Sequence, residues 1–262
     1  MPPIKISIMG VTLFEGEKSR FARTQGSTFD LHTKTGLAAV NTMGWADEFE
    51  KYAQYDAESF KDPVKNIDVA GSTSENSRAR PEIDRHSLRD ILLNCVSEEM
   101  IHWGHHLRSI DENHNLIFDD GAEVRLDSVV GADGAWSKIR KYVSSQMPEY
   151  SRVGGFNCYI HNVKGTAPTV YKLTDRGSMF SFNDGKILMT QHLGDGSLNI
   201  YCFMAKPESW FKNMSFDSQD IEAMRKVAMG EFHDWHPDVH DITRKMEDPV
   251  TRPLYMLPVG WK

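Results

Sequence analysis

Cysteine is scarce: Cys95, Cys158 and Cys202 are the three among 262 residues, far apart and free of any C-x-x-C pair. An odd, scattered set argues against a disulfide framework or a structural zinc and fits a reducing compartment, with each thiol expected to serve as a small buried hydrophobe. Long apolar runs are missing as well. No stretch approaches the roughly 18 uninterrupted apolar residues of a membrane helix, so no membrane partner is expected. Met1-Pro2-Pro3-Ile4-Lys5 opens without the charged-then-apolar layout of a secretory signal, and the expected location is the cytoplasm. Positive charge is in deficit: 30 Lys and Arg face 37 Asp and Glu, a formal net charge of -7, which leaves no general attraction for nucleic acid phosphates. H-E-x-x-H and Gly-x-Ser-x-Gly are absent too, and with them any sequence support for a zinc protease or a hydrolase triad. What remains, 40% hydrophobic and 26% charged residues, is the balance of an ordinary globular protein and excludes disorder and collagen.

Three zones follow one another without internal repeats. In residues 1–150, Ile4, Ile6 and Ile8 alternate with polar neighbours as a strand does, and Val11 to Glu15 read as a second strand directly after Gly10, with no helix between. A short helix is expected over 35–44, polar loop and edge strand over 50–80, and a longer helix over 84–100. In the longer helix Leu88, Ile91, Leu92, Cys95 and Val96 form one apolar stripe behind Pro81 and a possible N-cap at Asp84. Ile101 to Ile110 suggest a strand, and 116–118 and 123–126 a hairpin around Asp120-Gly121 that feeds a strand at Val129-Val130-Gly131. Residues 151–215 carry strands at 156–161, 179–182, 187–192 and 198–204, the last three separated at hairpin length, which predicts an antiparallel sheet. Residues 216–262 give a helix over 217–232, with Ile221, Met224, Val227 and Ala228 on one side, and then a proline-rich tail at Pro249, Pro253 and Pro258.

Several residues bear on chemistry. Glu15 closes the second strand, where in a dinucleotide fold an acid accepts hydrogen bonds from ribose hydroxyls; the other reading is a solvated acid at a strand end. Arg20 and Arg23 lie in a polar loop and read either as contacts to a dinucleotide or as a solvated face. Arg85 stands at the start of the apolar stripe, three residues before Leu88, so it is expected to point inward and to need an anionic or polar partner. At Gly131-Ala132-Asp133-Gly134 a strand stops and two glycines permit a tight turn. Ser137 can cap the next helix, whose first N–H groups would stand free for a ligand. The alternative there is an ordinary Asp-Gly turn. His102, His105 and His106, and separately His233, His236 and His240, lack a strong ligand spacing, and exposed polar histidines are the better reading.

Val11 to Glu15, Gln25-Gly26-Ser27-Thr28-Phe29-Asp30-Leu31-His32, Arg80-Pro81-Glu82-Ile83-Asp84-Arg85 to Leu93, and Val130-Gly131-Ala132-Asp133-Gly134 to Arg140 together resemble the FAD-dependent monooxygenases of the para-hydroxybenzoate hydroxylase class. The similarity is strongest to the branch that includes tetracycline-hydroxylating enzymes, and a weaker likeness runs on to Trp261. The resemblance implies an α/β chain, a Rossmann-like FAD-binding domain with an inserted antiparallel-sheet substrate domain. It also implies FAD and NADPH as cofactors and oxygen transfer to a small aromatic or polyketide-like molecule. Glu15, Arg85, Gly131, Asp133 and Gly134 would then serve the cofactor, and Gln191 and Phe182 the substrate, where plain sheet residues are the alternative. No catalytic acid or base is named by it.

The chain departs from the family at two places. The class opens with Gly-x-Gly-x-x-Gly, whose N–H groups hold the FAD pyrophosphate, whereas this sequence has only Gly10 there. Parallel neighbouring strands need a crossover of roughly a dozen residues or more, so the usual βαβ unit has no room between Gly10 and Val11. Leu257 to Lys262 resemble the lead-in to a second Gly-Asp motif that does not follow. The expectation is an incomplete FAD-binding domain in a shortened family member, active or reduced to a non-catalytic small-molecule binder.

Overall fold

The computed structural model describes residues 11–22, 27–55, 58–64, 67–71, 81–174 and 177–261. The expected first strand, Gly10 and Arg23 lie outside them. Along the chain the strands are β1 (Leu13–Glu15), β2 (Thr28–Asp30), β3 (Glu58–Asp62), β4 (Ile67–Gly71), β5 (Glu82–Asp84), β6 (Ile101–Trp103) and β7 (Leu107–Ile110). They continue with β8 (Asn115–Phe118), β9 (Glu123–Arg125), β10 (Glu149–Ile160), β11 (Ser178–Asn183), β12 (Lys186–His192), β13 (Leu198–Ala205) and β14 (Glu247–Met256). The helices are α1 (Gly36–Thr42), α2 (Ala46–Glu50), α3 (Arg85–Asn94), α4 (Val163–Thr166), α5 (Pro168–Leu173), α6 (Glu208–Lys212), α7 (Ile221–Glu231) and α8 (Pro237–Lys245).

Two compact units divide the chain: Met1–Gln25 with Arg89–Pro148 and Leu257–Lys262, and Gly26–Leu88 with Glu149–Met256. The linear zones 1–150, 151–215 and 216–262 do not map onto them, because residues 26–88 and 216–256 belong with the large sheet. In the first unit β1 pairs in parallel with β6, Leu13 opposite Ile101 and Glu15 opposite Trp103, and β7, β8 and β9 form an antiparallel meander. The expected single strand from Ile101 to Ile110 is thus two strands in two sheets, broken by a turn at Gly104 (φ 77°). Val129-Val130-Gly131 does not form a strand; among the described residues it has no ladder partner, and Val130 is exposed.

The predicted helix 84–100 stops at Asn94. Asparagine and the β-branched Val96 are weak helix formers, and Ser97 is already extended, opening a short 3-10 turn at Glu98–Met100. Cys95 consequently lies past the helix end and is exposed, its thiol on the Ile91 carbonyl, whereas Cys158 and Cys202 are buried as expected.

The second unit is built on a seven-stranded sheet of order β14-β10-β13-β12-β11-β3-β4. Strand alternation sends Phe156, Cys158, Ile160, Leu188, Leu198, Ile200 and Met204 to one face. There they meet Met224 and Ala228 of α7, Val239 and Ile242 of α8, and Phe232 and Trp235 between the helices. A valine, leucine, isoleucine, phenylalanine or methionine side chain contributes about 1.5–3 kcal/mol when fully buried, and this layer holds many of them. The proline-rich tail expected after residue 232 is instead α8 and β14. Pro237 occupies the first turn of α8, where its missing N–H costs nothing, and Pro249 and Pro253 sit in β14, an edge strand that spares donors.

His161, at the end of β10, ties this edge together: Nε2 lies 2.7 Å from Asp248 Oδ2 and Nδ1 3.2 Å from Ser197 Oγ. The hydrogen bond with Asp248 raises the imidazole above its ordinary value of 6.5, outweighing the opposing effect of burial. The imidazolium therefore stabilises the fold below 6.5, and that contribution is lost as pH rises through the raised value. In an NMR titration the His161 ring is expected to titrate above 6.5 and to fall back in Asp248→Asn; an unchanged midpoint would refute the pairing.

Candidate functional site

The face of the large sheet opposite the helices is set by the strand register. One row reads Phe182, Ile187, Phe203, Gly155 and Arg252, the next Phe180, Met189, Tyr201, Asn157 and Val250, and a third Gln191, Asn199 and Tyr159. This face carries aromatic and aliphatic residues, of which Phe182 is exposed and Phe180, Met189 and Tyr201 are half-buried. Phe180 and Phe182 stack with their centroids 6.5 Å apart, and Tyr201 and Phe203 lie at 5.6 Å. Gln191 and Phe182, the two substrate candidates of the sequence, both belong to this face.

A β2–β5 ribbon attaches to one end of the sheet through buried acids. Glu82 accepts the hydroxyl of Ser178, at the start of β11, at 2.9 Å and that of Thr28 at 3.2 Å. Asp84, two residues on and therefore on the same side of β5, accepts the Gly194 N–H at 3.0 Å, in the turn between β12 and β13. Burial pushes its carboxyl above the ordinary 3.8, against the lowering effect of the Gly194 bond. Asp84 was a possible helix cap in the sequence; its carboxylate instead clamps a loop 110 residues away in the chain.

Arg85 follows directly, and its position corrects the expectation of an inward charge. The residue is exposed, and its guanidinium lies over the Phe29 ring, 4.5 Å from the centroid. A cation over an aromatic face keeps its hydration while gaining attraction, so the strand end places the buried charge at Asp84 and leaves Arg85 at the surface.

In the first unit Glu15 ends β1 with Oε1 accepting the Glu17 N–H at 3.0 Å. Arg20, partly exposed, pairs with Asp90 at 2.9 Å and with Asn94 at 2.8 Å. The 131–134 corner is a compact turn. A side chain at Gly131 would run into Ile139, and Gly134 holds φ 83°. The N–H groups expected to stand free are taken: Lys138 donates to Asp133 at 2.6 Å, and Ile139 and Arg140 donate to Ser137 Oγ. Burial raises the Asp133 carboxyl, but hydrogen bonds from Ser137 and the Lys138 N–H outweigh it and hold it below the usual range. Only a 3-10 turn, Arg140–Tyr142, follows in place of the expected helix. Arg140 closes the corner on the carbonyls of Gly134 and Ala135.

Glu15 and the Gly131–Gly134 corner thus share the first unit, and Arg85, Phe182 and Gln191 the second. Sequence reasoning passed over Asn157 and Asn199, for which the signal was a polar residue inside each of two otherwise apolar strands, and over the acid pair Glu82 and Asp84. Among the described residues no cluster of histidine, cysteine and acids could hold a metal, and no helix is long and apolar enough to cross a membrane.

No family model matches the chain. Similarity appears by direct comparison. The solved structure of Klebsiella pneumoniae HpxO complexed with FAD and uric acid superposes with a TM-score of 0.72 at 14% identity, covering 93% of this chain and 61% of that one. The fold is that of the FAD-dependent monooxygenases of the para-hydroxybenzoate hydroxylase class. The tetracycline destructase Tet(51) shares this monooxygenase fold with a TM-score of 0.59 at 15% identity, over 96% of this chain and 64% of its own. Among curated sequences, monooxygenase asqM of Emericella nidulans is 23% identical, aligned over 89% of this chain and 63% of its own length. The chain therefore spans somewhat under two thirds of these relatives.

Proposed function

We propose that this chain serves as an FAD-dependent monooxygenase of the cytoplasm that uses NADPH and transfers oxygen to a small aromatic or polyketide-like molecule. The observation that carries the reading is the large sheet with its aromatic second face, in a fold shared with an FAD and urate complex over 93% of the chain. HpxO with uric acid and Tet(51), a tetracycline destructase, bracket the ligand class: oxygen-rich fused rings.

The described residues meet one requirement of a dinucleotide and leave another open. Glu15, at the carboxyl end of a strand in a parallel pair, suits a ribose diol. The pyrophosphate needs a cradle of free N–H groups, and the 138–140 N–H groups are already bonded within their own turn. The fit is therefore incomplete, and no chemical step is derived through the flavin. What the chain itself supplies is a ring-sized apolar floor at Phe180, Met189 and Tyr201, with polar side chains along one margin.

Purified protein mixed with FAD is expected to turn yellow, to retain the flavin absorbance bands after gel filtration and to oxidise NADPH. Folded protein that stays colourless and leaves NADPH untouched would overturn the reading.

A further inference from the structure

The first unit carries an exposed patch that the flavin reading does not use. Val130, Val143 and Val259 are 88, 82 and 93% exposed, and Trp136, Met147 and Trp261 are exposed as well. One loop gathers them. Residues 129–147 fold back on themselves: Gly131 lies against Ile139, and Arg140 reaches the carbonyls of Ala135 at 2.6 Å and Gly134 at 3.3 Å. Trp261 Nε1 donates to Ser144 Oγ at 3.2 Å, which ties the 257–261 segment to the same loop. Single exposed apolar side chains are ordinary, but several collected on one loop mark a surface that meets a partner.

Charge indicates which partner. Residues 134–148 contain Lys138, Arg140 and Lys141 and not one acid, in a chain whose formal net charge is -7. Lys138 and Lys141 are exposed, and Lys141 Nζ lies over the Tyr142 ring, 5.1 Å from its centroid. Two acids border the loop, each engaged in its own turn. Asp133 accepts the Lys138 N–H, and Asp111, next to the Ile110 carbonyl that receives the Tyr142 hydroxyl, accepts the N–H groups of Asn113 and Asn115. Protein–protein contacts are depleted in lysine, whereas indole, phenol, aliphatic tips and lysine together suit the boundary between lipid headgroups and acyl chains. A basic patch on an acidic protein is drawn to an anionic leaflet, and the cytoplasmic face of a membrane is anionic. Such a contact needs no apolar run of the length whose absence argued against a membrane partner. We propose that the 129–147 loop, with Val259 and Trp261, docks on anionic lipid surfaces, the valines and indoles entering the headgroup boundary while Lys138 and Lys141 meet the anionic headgroups.

The test mixes the full chain, without flavin, with vesicles of phosphatidylcholine alone or of phosphatidylcholine and phosphatidylserine, and separates bound from free protein by sedimentation. Binding to the mixed vesicles is expected to exceed binding to phosphatidylcholine by about tenfold and to weaken as added salt screens the attraction. Tryptophan emission should shift to the blue on binding, as exposed indoles leave water. Val143→Asp with Val259→Asp alters side chains already in water, so the fold is kept and vesicle binding should fall about tenfold. Lys138→Glu with Lys141→Glu should abolish the preference for phosphatidylserine. Should either double variant fail to fold, the lipid and salt dependence of the parent decides alone. Equal binding to both vesicles, no binding to either, or binding that survives the valine pair would overturn the proposal. So would a dimer on gel filtration that the valine pair dissolves, since the patch would then serve a second copy. No flavin is present, so the outcome stands apart from the monooxygenase reading.

Discussion

Replacing Phe232 with alanine is expected to destabilise the second unit by about 3–5 kcal/mol, the range for a large aromatic removed from a packed core. Phe232 is fully buried, follows the last residue of α7 and meets Trp235 edge to face with centroids 4.8 Å apart. It closes the space between the helices and the apolar face of the sheet. Neither α7 nor α8 can collapse into the hole, since Met224 and Ala228 hold one and Val239 and Ile242 the other. A domain's total stability is about 5–15 kcal/mol, so the variant would sit near its unfolding threshold at 25 °C. Phe182→Ala is the control: with 52% of its surface exposed, Phe182 should change stability by no more than about 0.5 kcal/mol. Urea midpoints of the two variants would separate widely; comparable shifts would mean that the sheet faces are assigned the wrong way round.

The antiparallel strands of that sheet were legible from the amino acids, and the reason is local. Asp184 and Gly185 both adopt positive φ, 46° and 68°, and pair Asn183 with Lys186, a two-residue turn whose twist suits a hairpin. Turn residues at that spacing, with alternation on either side, sufficed to foresee β11, β12 and β13 within a residue or two. The helix over 221–231 followed from its apolar spacing in the same way. Pairings between distant segments left no such trace. Nothing in residues 58–62 announces that β3 joins β11 in parallel, Ser59 opposite Met179, because a ladder is made by the partner as much as by the strand. Pro249 and Pro253 masked β14, although an edge strand tolerates them.

The candidate site was legible in part for the same reason. Residue type pointed to Glu15, Gln191 and the Gly131–Gly134 corner, since each is a local signal. Orientation did not follow. The apolar stripe suggested that Arg85 turns inward, but the stripe belongs to a helix only ten residues long, and the strand before it had already committed Asp84 to the interior. The free N–H groups inferred for the corner were claimed by Asp133 and Ser137 from within five residues, a competition that short polar side chains regularly win at turns.

Asp84 offers the sharpest test of how the site is held. Its carboxyl stands above the ordinary 3.8 because burial penalises the charged form more than the Gly194 N–H and the nearby His86 favour it; Asp195, also close, adds to the rise. The folded state therefore binds the Asp84 proton more tightly than the unfolded chain does. Protonation stabilises the fold, the benefit is complete below 3.8, and it is lost as pH rises through the elevated value. Asp84→Asn keeps an oxygen for Gly194 and carries no charge to bury. Its stability relative to the parent is expected to climb as pH rises from 3.8 and then level off, with the variant at least as stable at neutral pH. Asp84→Ala removes the Gly194 acceptor and carries no charge either, so it is expected to lie about 0.5–1.5 kcal/mol below the asparagine variant at any pH, Gly194 being exposed enough for water to take its N–H. At neutral pH the asparagine variant is thus expected to lead. Urea midpoints from pH 3 to 8 check this. Parallel curves for aspartate and asparagine across that range would show that Asp84 is not held against its charge, and the loop would need another anchor.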